Sequence, residues 1–264
     1  MTVLLGLLPG IWISNMSCRK QDSPMSGRIP VHGYRIVHKY PHNLSFWTQG
    51  LVFDRGFLYE GTGEYGGSGI FKIVPASGQI LQSRTLEAEY FGEGITILGN
   101  RLIQLTWKSH IGFVYDKDSF ALLKTFSYPT EGWGLTHNGR ELILSDGTDT
   151  LYFLDSESFT VLRQIKVAAS GRPVEGLNEL EFVNGSILAN IWQSDHIVQI
   201  HPESGVVTAW IDLTGLLDSS SDKTADVLNG IAWNPATDHL FVTGKLWPVL
   251  FEIEVVTTPP IRRP

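Results

Sequence analysis

A single glutamate stands between two glycines in Tyr90-Phe91-Gly92-Glu93-Gly94-Ile95-Thr96, behind an aromatic pair and ahead of an apolar run. Flanking glycines let the chain turn tightly and let a neighbour approach its backbone. Aromatics beside a carboxyl group dry its surroundings and raise its proton affinity, which suits a general acid/base. Taken alone, the stretch reads better as an ordinary solvated loop. Its weight comes from recurrence, because related corners return around the chain with other polar or aromatic residues in the place of Glu93. They carry Trp47 and Gln49, Trp133, Asn178, and Asn229. Trp107 and Trp192 follow at matching places, and so does Lys245, set in the otherwise apolar Thr243-Gly244-Lys245-Leu246-Trp247.

Brought together, these residues would supply one carboxylate, one amine, several amides and an aromatic wall of Trp47, Phe91, Trp107, Trp133 and Trp192. Small-ligand pockets are built in this way, and the polar set suits proton shuttling on an uncharged substrate. The plainer alternatives are that each tryptophan packs between structural units and that Gln49 and Asn178 cap turns. No phosphate loop, zinc-ligand spacing or Gly-x-Ser-x-Gly elbow is present, and the eight histidines share no metal spacing.

The elements that must position these residues repeat. Five segments open with a corner and an apolar strand, and Leu51, Ile95, Leu135, Leu180 and Ile231 fall at equivalent places, spaced 44, 40, 45 and 51 residues apart. Each segment continues with a turn, a second strand (FLYEGT, LIQLTW, ELILSD, SILANIW, HLFVTG) and a short third strand. The first four add a fourth strand; the fifth lacks one, and Val31 to Tyr40 can supply it from the other end of the chain. A period in the forties with four short strands per unit predicts an all-β five-bladed β-propeller over 28–256, its last blade closed by the N-terminal strand. A six-bladed ring with one degenerate blade is the rival, for which the chain is short. In such a ring the corners gather at one mouth of a central channel.

With 264 residues, a net charge of -7 and 18% charged residues, the chain is globular and unlike a non-specific nucleic-acid binder. Residues 1–27 read as a leader and linker. An apolar run from Val3 to Ile13, with no Lys or Arg before it, precedes Cys18, the single cysteine. That arrangement resembles a bacterial lipoprotein processing site and predicts an exported, periplasmic or lipid-anchored envelope protein, touching a membrane only through that anchor. A disordered leader or a misassigned start is the alternative. Residues 257–264 read as a loose tail.

The corners resemble those of the plant- and bacterial-type glutaminyl cyclases. The matching stretches are Thr48-Gln49-Gly50-Leu51, Phe91-Gly92-Glu93-Gly94-Ile95-Thr96, Gln104-Leu105-Thr106-Trp107, Glu131-Gly132-Trp133-Gly134-Leu135-Thr136, Leu177-Asn178-Glu179-Leu180-Glu181, Asn190-Ile191-Trp192 and Leu228-Asn229-Gly230-Ile231-Ala232. Where that pattern has Phe before Thr-Gln-Gly, this chain has Trp47, with Phe46 one place earlier. The resemblance implies a five-bladed propeller that cyclises N-terminal glutaminyl residues of peptides or proteins to pyroglutamate and releases ammonia. It implies Glu93 as acid/base, with Gln49, Asn178 and Lys245 binding the amide groups, holding Glu93 or stabilising charge, and the five aromatics as substrate wall. It further implies no catalytic metal and a structural calcium in the channel whose ligands the sequence does not name; a monomer is expected, though the sequence does not fix the oligomeric state. The absence of any intrachain disulfide looks bacterial. Two other readings stay open at this stage: a non-catalytic peptide-binding propeller, and a calcium-dependent lactonase-like hydrolase, which would want several carboxylates converging on one metal.

Overall fold

The computed structural model describes residues 28–218 and 224–257. The leader, Cys18 and all of the tail beyond Thr257 lie outside the described residues. Every regular element among the described residues is a β-strand. Strand β1 (Val31–Pro41) comes first in the chain and is paired last. A four-stranded antiparallel sheet follows, β2 (Thr48–Asp54), β3 (Phe57–Thr62), β4 (Gly69–Val74) and β5 (Gln79–Thr85). The second sheet is β6 (Gly92–Leu98), β7 (Arg101–Thr106), β8 (Ile111–Asp116) and β9 (Leu122–Ser127). The third is β10 (Leu135–His137), β11 (Glu141–Ser145), β12 (Thr150–Asp155) and β13 (Val161–Lys166). A two-stranded hairpin, β14 (Ala168–Ala169) with β15 (Arg172–Pro173), comes next, an element the sequence pattern did not signal.

The last two groups share one eight-stranded sheet. One half is β16 (Leu177–Val183), β17 (Ser186–Ile191), β18 (His196–Ile200) and β19 (Val207–Asp212). The other is β20 (Leu228–Asn234), β21 (His239–Gly244) and β22 (Val249–Val256), extended by β1, which runs antiparallel to β22 from Gly33↔Val256 to Pro41↔Val249. The halves are joined where β1 meets β19 in parallel, at Val31↔Trp210 and His32↔Ile211 only. Two such pairs tie neighbouring groups together at their outer edge, where the repeat pattern treats them as separate.

The opening strands touch in a closed cycle: β2 against β6, β6 against β10, β10 against β16, β16 against β20, and β20 against β2. Apolar clusters fill the spaces between successive groups. Tyr59 and Ile70 meet Ile95 and Phe113; Ile103 and Leu105 meet Leu142 and Leu154; Ile143 and Phe153 meet Leu180 and Val198; Leu188 and Ile197 meet Ile231 and Val242; Leu58 and Ile73 meet Ala232 and Phe241. No group buries its own faces, so each is stable only between two others. Burial falls outward: β7 and β17 are almost wholly buried, whereas β5, β9 and β13 are largely exposed. The continuous apolar second strands have the composition of strands covered on both faces.

Four opening strands carry a register shift at the same place, between Thr48 and Gly50, Gly92 and Ile95, Leu177 and Leu180, and Leu228 and Ile231. A bulge re-aims the side chains within it. The shifts leave Gln49, Glu93, Asn178 and Asn229 at one level, all buried.

Candidate active site

The residue after each of these corners is Gly50, Gly94, Gly134 and Gly230, but Glu179 in the fourth group. Gly94 is required by close approach: a Cβ there would lie 2.6 Å from the Leu135 nitrogen and 2.7 Å from the Trp133 carbonyl oxygen. Its own N–H donates to that oxygen at 2.8 Å, which pins the Glu93 corner to the next group. Glu179 uses the room left by its glycine counterparts and accepts N–H bonds from Leu51 at 3.2 Å and Ile231 at 2.8 Å, bridging β2 and β20. Burial, and then the charge of Glu181, push its carboxyl well above the ordinary range; the two N–H donors oppose them.

Glu93 is buried at 4% exposure, and Gln49 Nε2 donates to its Oε1 at 3.0 Å. Asn229 Nδ2 donates to Gln49 Oε1 at 3.2 Å and to the Thr48 carbonyl at 2.9 Å, fixing which end of the Gln49 amide faces Glu93. Thr48 is itself held by a 2.6 Å hydrogen bond from its hydroxyl to the buried Glu60, which pairs with His42 at 3.0 Å. Burial raises the Glu93 carboxyl well above the usual range; Lys245 opposes the shift and Glu131 adds to it. Burial also holds the Lys245 amine down, against the charges of Glu93, Asp226 and Glu64. A buried acid whose proton is held unusually firmly, beside a buried amine that holds its own less firmly, is suited to proton exchange.

The aromatics form one arc above this pair. Lys245 Nζ lies 5.1 Å from the Trp47 ring centroid. Trp47 and Phe91 converge on Gly63, where a Cβ would collide with the Phe91 ring and come within 3.0 Å of Trp47. Phe91 meets Trp107 with centroids 5.6 Å apart, and Trp133 meets Trp192 edge-on at 5.8 Å. Between these pairs stands Glu131, whose Oε2 accepts from Trp107 Nε1 at 2.8 Å and from Trp133 Nε1 at 3.1 Å. Trp192 is the rim of the arc, 47% exposed. Phe46 instead turns into the core and packs on Phe71 at 4.4 Å, so Trp47 takes the wall position.

Each residue that the sequence singled out thus lies at the corner level or in the arc. Gln49, Glu93 and Asn229 are joined directly. Asn178 reaches its neighbours through its carbonyl, which accepts from Ser145 Oγ at 2.7 Å, while its buried side-chain Oδ1 has no partner; Asn229 Oδ1 is in the same condition. Sequence reasoning missed the Asn229 relay and gave Glu131 and Glu179 no part. The signal for Glu179 was available, since it breaks a column of glycines.

A cavity of about 440 Å³ opens farther along the opening strands, among Val52, Phe53, Thr96, Thr136, Glu181 and Trp233. Glu181 there accepts from the Trp233 N–H at 3.0 Å and the Thr136 hydroxyl at 3.3 Å, and burial pushes its carboxyl up to about 7. The acid–amine pair and the aromatic arc lie at the corners, and none of their residues lines this cavity.

Fold and site together define an all-β protein of repeated sheets with a buried carboxyl and a buried amine where their corners meet. The family model for glutamine cyclotransferase matches residues 11–255, and the chain belongs to that family. It is 41% identical over 230 residues to a glutaminyl-peptide cyclotransferase of Arabidopsis thaliana, covering 85% of this chain and 72% of that protein. The crystal structure of Myxococcus xanthus glutaminyl cyclase superposes with a TM-score of 0.81 at 36% identity, over 87% of this chain and 99% of that one.

Proposed function

We propose that this protein cyclises N-terminal glutaminyl residues of peptides and proteins to pyroglutamate, with release of ammonia, by acid/base catalysis at Glu93. The observation that carries the reading is the buried Glu93 carboxyl, gripped by Gln49 and offset by Lys245, beneath an aromatic arc in a chain of the glutamine cyclotransferase family. The free α-amine attacks the γ-carbonyl carbon of its own side chain. Glu93 takes a proton from that nitrogen as the new C–N bond forms, then delivers it to the γ-nitrogen as the old C–N bond breaks and ammonia leaves. Glu93 ends as it began, and no co-reactant is consumed. Lys245 offsets charge on the Glu93 carboxylate and on the carbonyl oxygen as it becomes an oxyanion. Asn178 and Asn229 each keep a buried side-chain Oδ1 without a partner at the corner level, behind the reacting groups. The arc holds the side chain folded with its amine against its amide, and positioning of this kind can supply much of the acceleration.

We further infer that the four-stranded groups are blades of a five-bladed propeller, with β1 completing the last blade. The closed cycle of opening strands and the apolar cluster between each neighbouring pair support this reading. The chemistry draws on no metal. The channel carboxylates Glu179 and Glu181 already accept hydrogen bonds, and among the described residues no three His, Cys, Asp or Glu side chains converge. The side chains present therefore do not fit a carboxylate-built calcium site; a structural calcium would rest on backbone carbonyls, and no step runs through it. The leader and Cys18 support export to the periplasm or the envelope. Purified protein incubated with a short peptide bearing N-terminal Gln should release ammonia at the same rate with and without a metal chelator. No release from folded protein would refute the reading.

A further inference from the structure

Glu131 belongs to the third corner, and the reaction gives it no part. It stands two residues before Trp133, the place that Trp47 takes before Gln49 and Phe91 before Glu93. Where two groups put an aromatic at the wall, this one puts a carboxylate. The residues on either side of Glu131, Thr130 and Gly132, are held by three hydrogen bonds. The Gly132 N–H donates to the Trp107 carbonyl at 3.0 Å, the Thr130 hydroxyl to Asp146 Oδ2 at 2.7 Å, and His110 Nδ1 lies 2.6 Å from the Thr130 carbonyl. The Glu131 side chain is 39% exposed, with Lys108 Nζ 4.0 Å from Oε1 and 3.8 Å from the Trp107 ring centroid.

We infer that Glu131 is a positioning residue that clamps Trp107 and Trp133, one indole from each of two neighbouring groups, into a single wall for the N-terminal residue of the substrate. Both indole N–H groups point at one carboxylate oxygen, and indole has no other polar atom. Without that acceptor, both N–H donors would lose their partner, and the rings would be free to turn away. The clamp is also the link between the Phe91–Trp107 contact and the Trp133–Trp192 contact, so its loss divides the arc in two. Placing a carboxylate here has a second consequence, since the Glu131 charge adds to the proton affinity of Glu93.

This inference rests on the cyclase reading, and the test separates the two. Steady-state kinetics on an N-terminal Gln peptide would compare the wild type with Glu131→Gln, Glu131→Ala, Trp107→Phe and the Glu131→Ala/Trp107→Phe double variant. Glu131→Ala should lose about 10- to 100-fold in kcat/KM, the cost of misplacing a substrate wall. Glu131→Gln keeps an acceptor oxygen and should stay within about threefold of wild type. Trp107→Phe keeps a ring but no donor; it should cost less in the Glu131→Ala background than alone, because paired groups are not additive. Near-ultraviolet circular dichroism should change in Glu131→Ala and not in Glu131→Gln. A Glu131→Ala variant within about twofold of wild type, or a Glu131→Gln variant as impaired as Glu131→Ala, would overturn the clamp. Should Glu131→Ala fail to fold, Trp107→Phe and Trp133→Phe decide: full activity in both overturns it. A wild type without turnover sinks the cyclase reading alone, because the dichroism and a stability double-mutant cycle still read the clamp.

Discussion

Replacing Lys245 by Met would remove the cation that opposes the burial of Glu93 and keep a flexible apolar side chain of similar reach. Lys245 is 6% exposed, and its charge opposes the burial that raises the Glu93 carboxyl. A nearby opposite charge is worth about 1–3 pKa units, or roughly 1.4–4 kcal/mol between the two protonation states. Without Lys245, Glu93 should keep its proton to higher pH. The acid limb of the kcat/KM profile should then move upward, with the alkaline limb moving less. The Trp47 face loses its cation, so KM should rise as well. Stability should not fall. Burial depresses the Lys245 amine relative to the unfolded chain, so its protonated form works against folding, and an apolar replacement relieves that cost. The assay is ammonia release from pH 5 to pH 10, with thermal melts over the same range. An acid limb that stays within about 0.3 units of wild type would refute the electrostatic account of Glu93, whatever happened to kcat.

Gly94→Ala should fold poorly, because its Cβ would meet Leu135 and Trp133 backbone rather than a movable side chain; a cost of about 3 kcal/mol or more is expected in urea melts. Glu181→Gln should stabilise the protein at alkaline pH. The folded Glu181 carboxyl sits near 7, above its unfolded value, so its favourable contribution is complete at low pH and lost as pH rises through about 7. The melting temperature of Glu181→Gln relative to wild type should therefore be higher at pH 8.5 than at pH 4.5, and an equal difference at both would contradict the assignment.

Much of this architecture was legible because the whole unit repeats, not one motif. Corner, second strand and third strand return in order, and the strands lie where the alternation of apolar runs and turns put them. Glu93, Gln49 and Lys245 stood out because polar residues interrupted stretches otherwise committed to burial. What the pattern could not convey depended on pairing across the chain. The two-residue join between β1 and β19 leaves no periodic trace, and neither does the β14–β15 hairpin. Phe46 and Trp47 are adjacent aromatics, and only packing decides that Phe46 enters the core while Trp47 faces Lys245. Glu131 was masked for a different reason. In sequence it is an ordinary loop carboxylate, and it acquires meaning only when two tryptophans 26 residues apart bring their N–H groups to one oxygen. Asn229 was visible as a corner, but its part as the second link behind Glu93 required the distance to Gln49.

The central claim is that Glu93 moves the proton. Glu93→Gln keeps an oxygen that can accept from Gln49 Nε2, and so preserves the local geometry while ending proton transfer. Pyroglutamate formation from an N-terminal Gln peptide, followed by mass spectrometry, should fall in kcat by about 10²- to 10⁴-fold, roughly 3–5 kcal/mol of barrier, with KM little changed. A folded Glu93→Gln protein that cyclises the peptide at the wild-type rate would contradict the account.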